Sequence, residues 1–232
     1  YIQTFKINPR MEHLIEENSF KSLNNNSKIS KYFESKFNLI EISKICDFEI
    51  PRSQIVNSNE LKSSSFPIVL QNNIGHTGDG TFIIENELEL EKFIEKANNI
   101  ELKQSEFIDG IPFNINTVVT KNKILSFGLN IQQTNIDCLS LSKSVTVGNN
   151  YDYSDVLSAI DIEKTNLIMS NIGNEFQKRG YKGLFGVDLI KQNNTNKIYV
   201  IEINARQTAN VTFYNQIQNQ NKILNGLILH II

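Results

Sequence analysis

The sequence predicts an α+β protein with two lobes, because hairpin patterns and helical patterns follow one another in separate blocks. Three observations support this prediction. Two short apolar runs flank a glycine-rich segment at residues 75–80 and precede a helical stripe. An alternating strand pattern begins at Phe113 and turns back on itself. A long helical pattern over residues 161–179 then precedes two final strands, which we expect at residues 184–190 and 198–203.

The first predicted element is a helix from about Ser30 to Cys46, whose apolar residues recur on one side. It ends before Ile50 and Pro51, since proline disfavours the helical conformation of the residue that precedes it. Residues 1–26 combine weak helical signals with a run of asparagines, which is typical of a loop or linker.

The central block contains the two short strands and a helix. Pro67 begins the first apolar run, and proline is tolerated at the start of an edge strand. The second run, at residues 81–84, is followed by Asn86 and, three positions later, by Glu89. This spacing predicts a capping pair at the start of a helix. A turn at residues 107–110 ends the block.

The last block begins with the strand from Phe113, which a short polar turn connects to a strand over residues 124–129. Residues 132–153 are polar and irregular, and we expect a loop-rich insertion there. The long helix ends at Gly180, since glycine is typical of the position that follows a helix. A polar turn at residues 192–196 joins the two final strands.

Composition and charge exclude several classes of function. The 232 residues carry a net charge of −2 with a pI near 6.0, so no basic field would attract nucleic acid. No apolar run is long enough to cross a bilayer, so no membrane partner is expected. Cys46 and Cys138 are too few for a disulfide framework, which fits a cytoplasmic location. The bare apolar end at residues 227–232 predicts a fragment of a longer protein.

The glycine-rich segment has features of a phosphate-binding lid. Glycines at positions 75, 78 and 80 free the backbone to point several N–H groups at one anion. The segment lacks the ending of a Walker motif and the dinucleotide spacing, and a strand follows it rather than a helix. Taken alone, it is better explained as a plain hairpin turn, so its interpretation depends on the residues downstream.

An acidic pattern on the final hairpin supplies that support. Glu202 and Asn204 lie two apart on one strand and therefore project to the same side. Asp188 lies on the partner strand, where a short turn can bring it beside them. Two carboxylates and an amide oxygen form a set suited to Mg²⁺ bound with a nucleotide phosphate. Arg206 continues the same side and can hold a carboxylate or a phosphate. The alternative is a solvated strand with one polar side.

Several segments, in order, resemble the ATP-grasp superfamily, which includes biotin carboxylase and D-alanine–D-alanine ligase. They resemble four parts of the family pattern: the opening segment with its phosphate-contacting lysine, the strand with the glycine-rich lid, the hinge whose backbone contacts the adenine edge, and the two metal-binding strands. The similarity covers the chain from about residue 28 to its C-terminus. The segments that carry the resemblance are residues 33–36, 46–51, 67–80, 106–110, 186–188 and 200–206.

The resemblance implies the ATP-grasp fold, in which two α+β lobes grip the nucleotide between them. Residues 1–27 would be the remnant of a preceding lobe. Residues 28–110 would form the small lobe with the lid and hinge, and residues 111–232 the large lobe with the metal site, truncated at its C-terminus. ATP and Mg²⁺, or Mn²⁺ in its place, are the cofactors that it implies.

The resemblance also implies roles for individual residues. Arg206 and Lys36 would be catalytic, and Asp188, Glu202 and Asn204 would bind the metal. The implied nucleotide-binding residues are Lys36, Gln71, Gly75, His76, Thr77, Gly78, Gly80, Glu106, Phe107 and Ile108.

Two positions depart from the family pattern. Gln71 stands where most members have a second phosphate-binding lysine, and an amide brings no charge. Pro112 stands where an acidic residue usually binds the ribose, and Asn114 is a candidate substitute.

The function implied by the resemblance is that of an ATP-dependent ligase, which joins a small-molecule carboxylate to an amine through an acylphosphate. A carboxylase-type enzyme, a kinase-type enzyme and a non-catalytic ATP-binding module are the alternatives, and Gln71 favours the last of them. A homodimer is compatible with any of these.

Overall fold

The computed structural model describes residues 1–63, 65–75, 80–136, 138–139 and 145–231. Within them the chain forms two antiparallel sheets with helices packed beside them, which confirms the predicted α+β class. No helix in these ranges has the length and apolar character needed to cross a membrane.

The small sheet has four strands in the order β1-β4-β2-β3. Helix α4 packs on one side of it, where Leu70 and Leu102 contact Leu90 of the helix in one apolar cluster. The strands are β1 Ser53–Asn57, β2 Ile68–Gln71, β3 Thr81–Ile84 and β4 Glu101–Glu106, and the helix is α4 Glu87–Lys96.

The start of α4 has the predicted cap. The side chain of Asn86 accepts a hydrogen bond from the N–H of Glu89 at 3.0 Å, and the Glu89 carboxylate accepts one from the N–H of Glu85 at 2.9 Å. Strands β1 and β4 are not among the predicted elements. The reason is clear in β4, where Lys103, Gln104 and Ser105 are polar yet buried, so the apolar alternation that predicts a strand is missing.

The large sheet has five strands in the order β7-β6-β5-β8-β9. The expectation of a loop-rich insertion at residues 132–153 is partly wrong, because β6 extends to Thr134 and β7 pairs with it. Strand β7 is a mostly exposed edge strand, so its sequence carries no apolar alternation. The strands are β5 Gly110–Val119, β6 Ile124–Thr134, β7 Thr146–Asn150, β8 Gly183–Gln192 and β9 Ile198–Asn204.

The predicted helix over residues 30–46 is wrong as a single element, because it is broken into two after Glu34. Ser35 is extended, and the N–H of Lys36 donates to the carbonyl of Asn73 at 3.1 Å. The Asn73 side chain also accepts hydrogen bonds from the Ser35 hydroxyl at 2.7 Å and from the N–H of Phe37 at 3.3 Å. A loop distant in sequence therefore supplies partners that a continuous helix would have supplied itself.

The remaining helices lie around the large sheet. The long helix has a capping box between Ser158 and Asp161 and is followed by Gly180 with a φ of +79°, as predicted for its end. The helices other than α4 are α1 Pro9–Glu17, α2 Ser27–Glu34, α3 Leu39–Cys46, α5 Ala159–Lys178, α6 Val211–Gln220 and α7 Gly226–Ile231, and a short 3₁₀ helix covers Ser58–Glu60.

The main core lies between the large sheet and helices α2, α3 and α5. Phe33 of α2 stacks on Phe176 of α5 with ring centroids 3.7 Å apart, and Phe176 stacks in turn on Phe185 of β8 at 4.5 Å. Helices α2 and α3 thus pack on the large sheet although they precede the small sheet in the chain. The division of the chain at residues 28 and 110 stays a prediction.

Candidate functional site

The candidate site lies between the two sheets, and alternation along the strands decides which residues face it. In the large sheet, Val187 and Ile203 point into the apolar core, so Asp188 and Glu202 point to the opposite side. In the small sheet, Leu102 faces α4, so its neighbour Lys103 faces away from that helix. Each sheet therefore has one apolar side and one polar side.

The three predicted metal ligands are neighbours on the polar side of the β8–β9 hairpin. Asp188 is paired with Glu202, and Gly186 with Asn204. The Asn204 amide nitrogen donates to the Asp188 carboxylate at 2.8 Å. A register shift after Asp188 leaves an extra residue in β9, a bulge of the kind that often re-aims side chains near functional sites.

Neutral amide groups surround the Asp188 carboxylate. One of its oxygens accepts hydrogen bonds from Asn114 at 2.7 Å and from Gln132 at 3.0 Å. Burial raises the pKa of Asp188, while the hydrogen bonds from Asn114 and Asn204 and the charge of Arg206 oppose that rise. The Asn114 amide is buried and bound to Asp188, and its predicted contact with a ribose stays a prediction.

Lys36 joins the acidic hairpin to the glycine-rich segment. Its ammonium lies 3.2 Å from the Glu202 carboxylate and 3.5 Å from the carbonyl oxygen of Gly75, and its side chain is 3% exposed. Burial raises the pKa of Glu202, the charge of Lys36 lowers it, and the nearby Asp188 raises it. The helix break that holds Ser35 in an extended conformation is what brings Lys36 to this position.

The residues of the hairpin fit a hard divalent cation. Among the described residues no three His, Cys, Asp or Glu side chains are grouped as metal ligands, so the set depends on amide oxygens besides the carboxylates of Asp188 and Glu202. Oxygen donors of these kinds are what Mg²⁺ binds. Burial also disfavours the charge on both carboxylates, and a bound cation would remove that penalty.

Arg206 is engaged in an ion pair that the sequence did not predict. Its guanidinium donates to the buried carboxylate of Glu34, which also lies 2.7 Å from the ammonium of Lys6. The guanidinium is 5.7 Å from the centre of the Phe5 ring, and its side chain is 11% exposed. Arg206 therefore sits between the hairpin and the N-terminal segment, and its catalytic role stays a prediction.

Gln71 and Lys103 form a cross-strand pair in the small sheet. They are directly opposite each other on β2 and β4, and the Lys103 ammonium lies 3.5 Å from the Gln71 amide oxygen. The Gln71 amide nitrogen contacts the hydroxyl of Thr81 at 3.4 Å. Both side chains are buried. Sequence reasoning missed Lys103 because it missed β4.

Residues 107–109 connect the two sheets, and they lie within the segment for which a hinge is predicted. The Glu106 carboxylate accepts a hydrogen bond from the N–H of Arg52 at 2.8 Å, so it stabilises the neighbouring connection. Phe107 is 38% exposed and Ile108 is buried. A nucleotide contact at these positions stays a prediction.

Only the two ends of the glycine-rich segment are described. Gly80 has a φ of +74°, and its carbonyl accepts a hydrogen bond from the N–H of Asn72 at 2.8 Å. Gly75 is the residue whose carbonyl approaches Lys36. The predicted nucleotide-binding residues His76, Thr77 and Gly78 lie outside the described residues.

A chain of buried and half-buried polar side chains extends from Asp188 to the loop after β9. Asn114, which donates to Asp188, accepts a hydrogen bond from Asn210 at 2.9 Å, and Asn210 accepts one from Asn116 at 3.1 Å. The hydroxyl of Thr208 also bonds to Asn116 and Asn210. No periodicity in the sequence indicates these contacts, since they join β5 to a loop far along the chain.

Comparison with known proteins gives the family. A family model described as an ATP-grasp domain matches residues 33–210, a range that contains Lys36, both hairpin carboxylates and Arg206. The chain belongs to the ATP-grasp family. No curated protein matches this ATP-grasp sequence at a significant level.

Solved structures share this ATP-grasp fold at low sequence identity. The 2-oxoglutarate carboxylase biotin carboxylase domain from Hydrogenobacter thermophilus has a TM-score of 0.74 and 17% identity, with 97% of this chain and 50% of that chain covered. An ADP complex of N5-carboxyaminoimidazole ribonucleotide synthetase has a TM-score of 0.72 and 13% identity, with coverage of 96% and 60%. VanG D-Ala:D-Ser ligase from Enterococcus faecalis has a TM-score of 0.65 and 13% identity, with coverage of 84% and 59%. The ATP-grasp chain thus spans 60% or less of each of these proteins.

Proposed function

We propose that this ATP-grasp chain binds ATP with Mg²⁺ between its two sheets, as part of a ligase that joins a carboxylate to an amine through an acylphosphate. The observation that carries the proposal is one cluster of opposite charges. The ammonium of Lys36 lies 3.2 Å from Glu202, which is paired across the strands with Asp188. Carboxylates for a cation and an ammonium for phosphates are the two components that phosphoryl transfer requires.

In this proposal Asp188, Glu202 and Asn204 hold the cation, which when bound would screen the charge of the phosphates. Mn²⁺ satisfies the same oxygen ligands. Lys36 holds phosphate oxygens, since the cation would compensate Glu202 and release the ammonium for a second anion. The adenine lies against the backbone of residues 106–108, and the glycine-rich segment covers the phosphates.

The proposed reaction has two steps. A carboxylate oxygen of the acid attacks the γ-phosphorus of ATP, the bond from that phosphorus to the bridging oxygen breaks, and ADP leaves. An amine then attacks the acyl carbon, loses a proton, and inorganic phosphate departs as the amide forms. Arg206 steadies the acylphosphate oxygens, for which it must exchange its bond with Glu34 for one with the substrate. The acid and the amine are small molecules, and the expected compartment is the cytoplasm.

The biotin carboxylase domain keeps a carboxylase-type reaction as an alternative, and two other similar structures have names that support a ligase. They are the VanG D-Ala:D-Ser ligase and an L-amino acid ligase from Bacillus licheniformis, which has a TM-score of 0.63 and 16% identity. A non-catalytic ATP-binding module is the second candidate. It is favoured by Gln71, whose amide brings no charge to the phosphates.

Isothermal titration calorimetry with ATP and Mg²⁺ tests the binding half. We expect saturable binding by the wild type and at least about 10-fold weaker binding by a double variant, Glu202→Ala with Asn204→Ala. The matched control changes one exposed glutamate and one exposed asparagine, Glu101→Ala with Asn122→Ala, and should bind like the wild type. Absence of binding by a folded wild type, or equal binding by both double variants, would refute the site.

Release of ADP tests the chemical half. Turnover that needs both an acid and an amine from a substrate panel supports the ligase. Turnover with a hydroxyl acceptor and no amine would indicate the kinase-type reaction. ADP released only when bicarbonate is the acid would indicate the carboxylase type. Intact binding without turnover on the whole panel would favour the non-catalytic module.

A further inference from the structure

Lys103 is a buried ammonium without an anionic partner among the residues that the structure describes. Its side chain is 1% exposed, and its contact with the Gln71 amide oxygen, at 3.5 Å, is at the limit of a hydrogen bond. An ammonium has three donors, and a buried charge is costly unless it is paired. Lys103 therefore has donor capacity that its contacts with the described residues do not use.

The unused charge faces the proposed phosphate site. Leu102 is packed against α4, so Lys103, the next residue on β4, projects to the opposite side of the small sheet. Burial lowers the pKa of Lys103 to about 8, the charge of Lys36 lowers it too, and the charge of Glu202 opposes this shift. Lys103 therefore interacts electrostatically with both Lys36 and Glu202, the ion pair on which the proposed function rests.

We infer that Lys103 binds a phosphate group of the nucleotide and supplies, from β4, the positive charge that Gln71 does not supply from β2. The two residues are directly opposite on adjacent antiparallel strands, where side chains lie roughly 4.5–5.5 Å apart at Cβ. An ammonium on either strand can therefore reach nearly the same point. Gln71 acts as the acceptor that orients Lys103. This inference rests on the proposed function, since it needs a nucleotide in the site.

The experiment compares the affinity of four proteins for ATP with Mg²⁺ by calorimetry. In Lys103→Met we expect the dissociation constant to rise roughly 10- to 100-fold, the effect of losing a charge-assisted hydrogen bond. The double variant Gln71→Lys with Lys103→Gln moves the charge to the opposite strand and should recover most of the affinity. Lys96→Met removes an exposed lysine from the last turn of α4 and should bind like the wild type.

The outcomes separate this inference from the proposed function. If the wild type binds no ATP, the proposed function falls and this inference falls with it. If the wild type binds and Lys103→Met binds within about twofold of it, Lys103 does not contact phosphate and only this inference is overturned. If Lys103→Met fails to fold, the double variant alone tests the inference. Affinity near the wild-type value would mean that a lysine on either strand can bind the phosphate. A large loss of affinity would overturn the inference.

Discussion

The buried charge of Lys103 predicts an effect on stability that needs no nucleotide. Burial and the charge of Lys36 lower the pKa of Lys103 from 10.5 to about 8. One pKa unit corresponds to about 1.36 kcal/mol. Keeping the ammonium charged in the folded protein therefore costs about 3 kcal/mol, a large share of the ~5–15 kcal/mol that stabilises a typical domain.

The direction of the pH dependence follows from the bound protons. At pH 7 Lys103 is charged in the folded and in the unfolded chain, so the whole cost is present. Between about pH 8 and pH 10.5 the unfolded chain still holds a proton that the folded protein has released. The free energy of unfolding therefore rises with pH through this window. Above about pH 10.5, Lys103 is neutral in the folded and in the unfolded chain, and the cost of burying its charge no longer applies.

Urea denaturation without nucleotide tests this prediction. Lys103→Met keeps an unbranched apolar side chain and removes the charge, so we expect the free energy of unfolding at pH 7 to increase by about 3 kcal/mol. The advantage over the wild type should shrink as the pH rises from 8 to 10.5. The difference between the free energies of unfolding of the two proteins at each pH cancels the contribution of the titratable groups that both proteins contain.

Two results would refute the reasoning. One is no gain in the free energy of unfolding of Lys103→Met at pH 7, and the other is a gain that stays constant up to pH 10.5. Either would mean that Lys103 is hydrated or paired with an anion in the folded protein. The predicted behaviour is also opposite in sign to the effect on ATP binding, since the same variant should be more stable and bind more weakly.

Three further substitutions should lower the free energy of unfolding, two through packing and one through a lost hydrogen bond. Phe33→Ala removes a buried ring stacked on Phe176 and should cost about 3–5 kcal/mol in urea denaturation. Gly110→Ala would bring a Cβ within 2.3 Å of the carbonyl oxygen of Lys191, so we expect a loss of about 1–3 kcal/mol and a lower thermal midpoint. Asn114→Leu removes a donor from the buried Asp188 carboxylate and should lower the free energy of unfolding at pH 7 by about 1–3 kcal/mol.

Each of these changes has a control elsewhere in the chain. Phe20 is 55% exposed, so Phe20→Ala should be nearly neutral. Among the residues that the structure describes, a Cβ on Gly148 would meet only Gln133, at 3.9 Å, so Gly148→Ala should be tolerated. Asn122→Leu changes an exposed turn residue and should cost little. Equal losses in a variant and its control would contradict the packing argument for that site.

The final hairpin was predictable because local sequence determines it. Apolar residues such as Ile201 and Ile203 alternate with Glu202 and Asn204, and a short polar turn sets the partner strand. The short turn between the two strands sets the register that brings Asp188 opposite Glu202. The cap at Asn86 and the long helix were predictable for the same reason, since their signals lie within one turn of the element.

Other features depend on contacts between distant segments and had no local signal. The break between α2 and α3 is stabilised by Asn73, which follows strand β2 of the small sheet. In strand β4 the side that faces α4 holds Gln104 as well as Leu102, and the opposite side holds Lys103 and Ser105, so no apolar alternation could reveal the strand or Lys103. The bond between Arg206 and Glu34 joins residues at opposite ends of the chain. The polar chain from Asn114 to Asn210 is of the same kind.

The packing of α2 and α3 on the large sheet affects how the chain acquires its structure. The polypeptide leaves the large core near Arg52 and returns at Gly110, and the two crossings are held together by hydrogen bonds between Arg52 and Glu106. All four strands of the small sheet lie between these crossings and can pair early. Phe33, in contrast, is synthesised long before Phe176, the ring on which it stacks. A nascent chain must therefore carry the apolar side of α2 uncovered until α5 emerges, a period in which aggregation competes with folding.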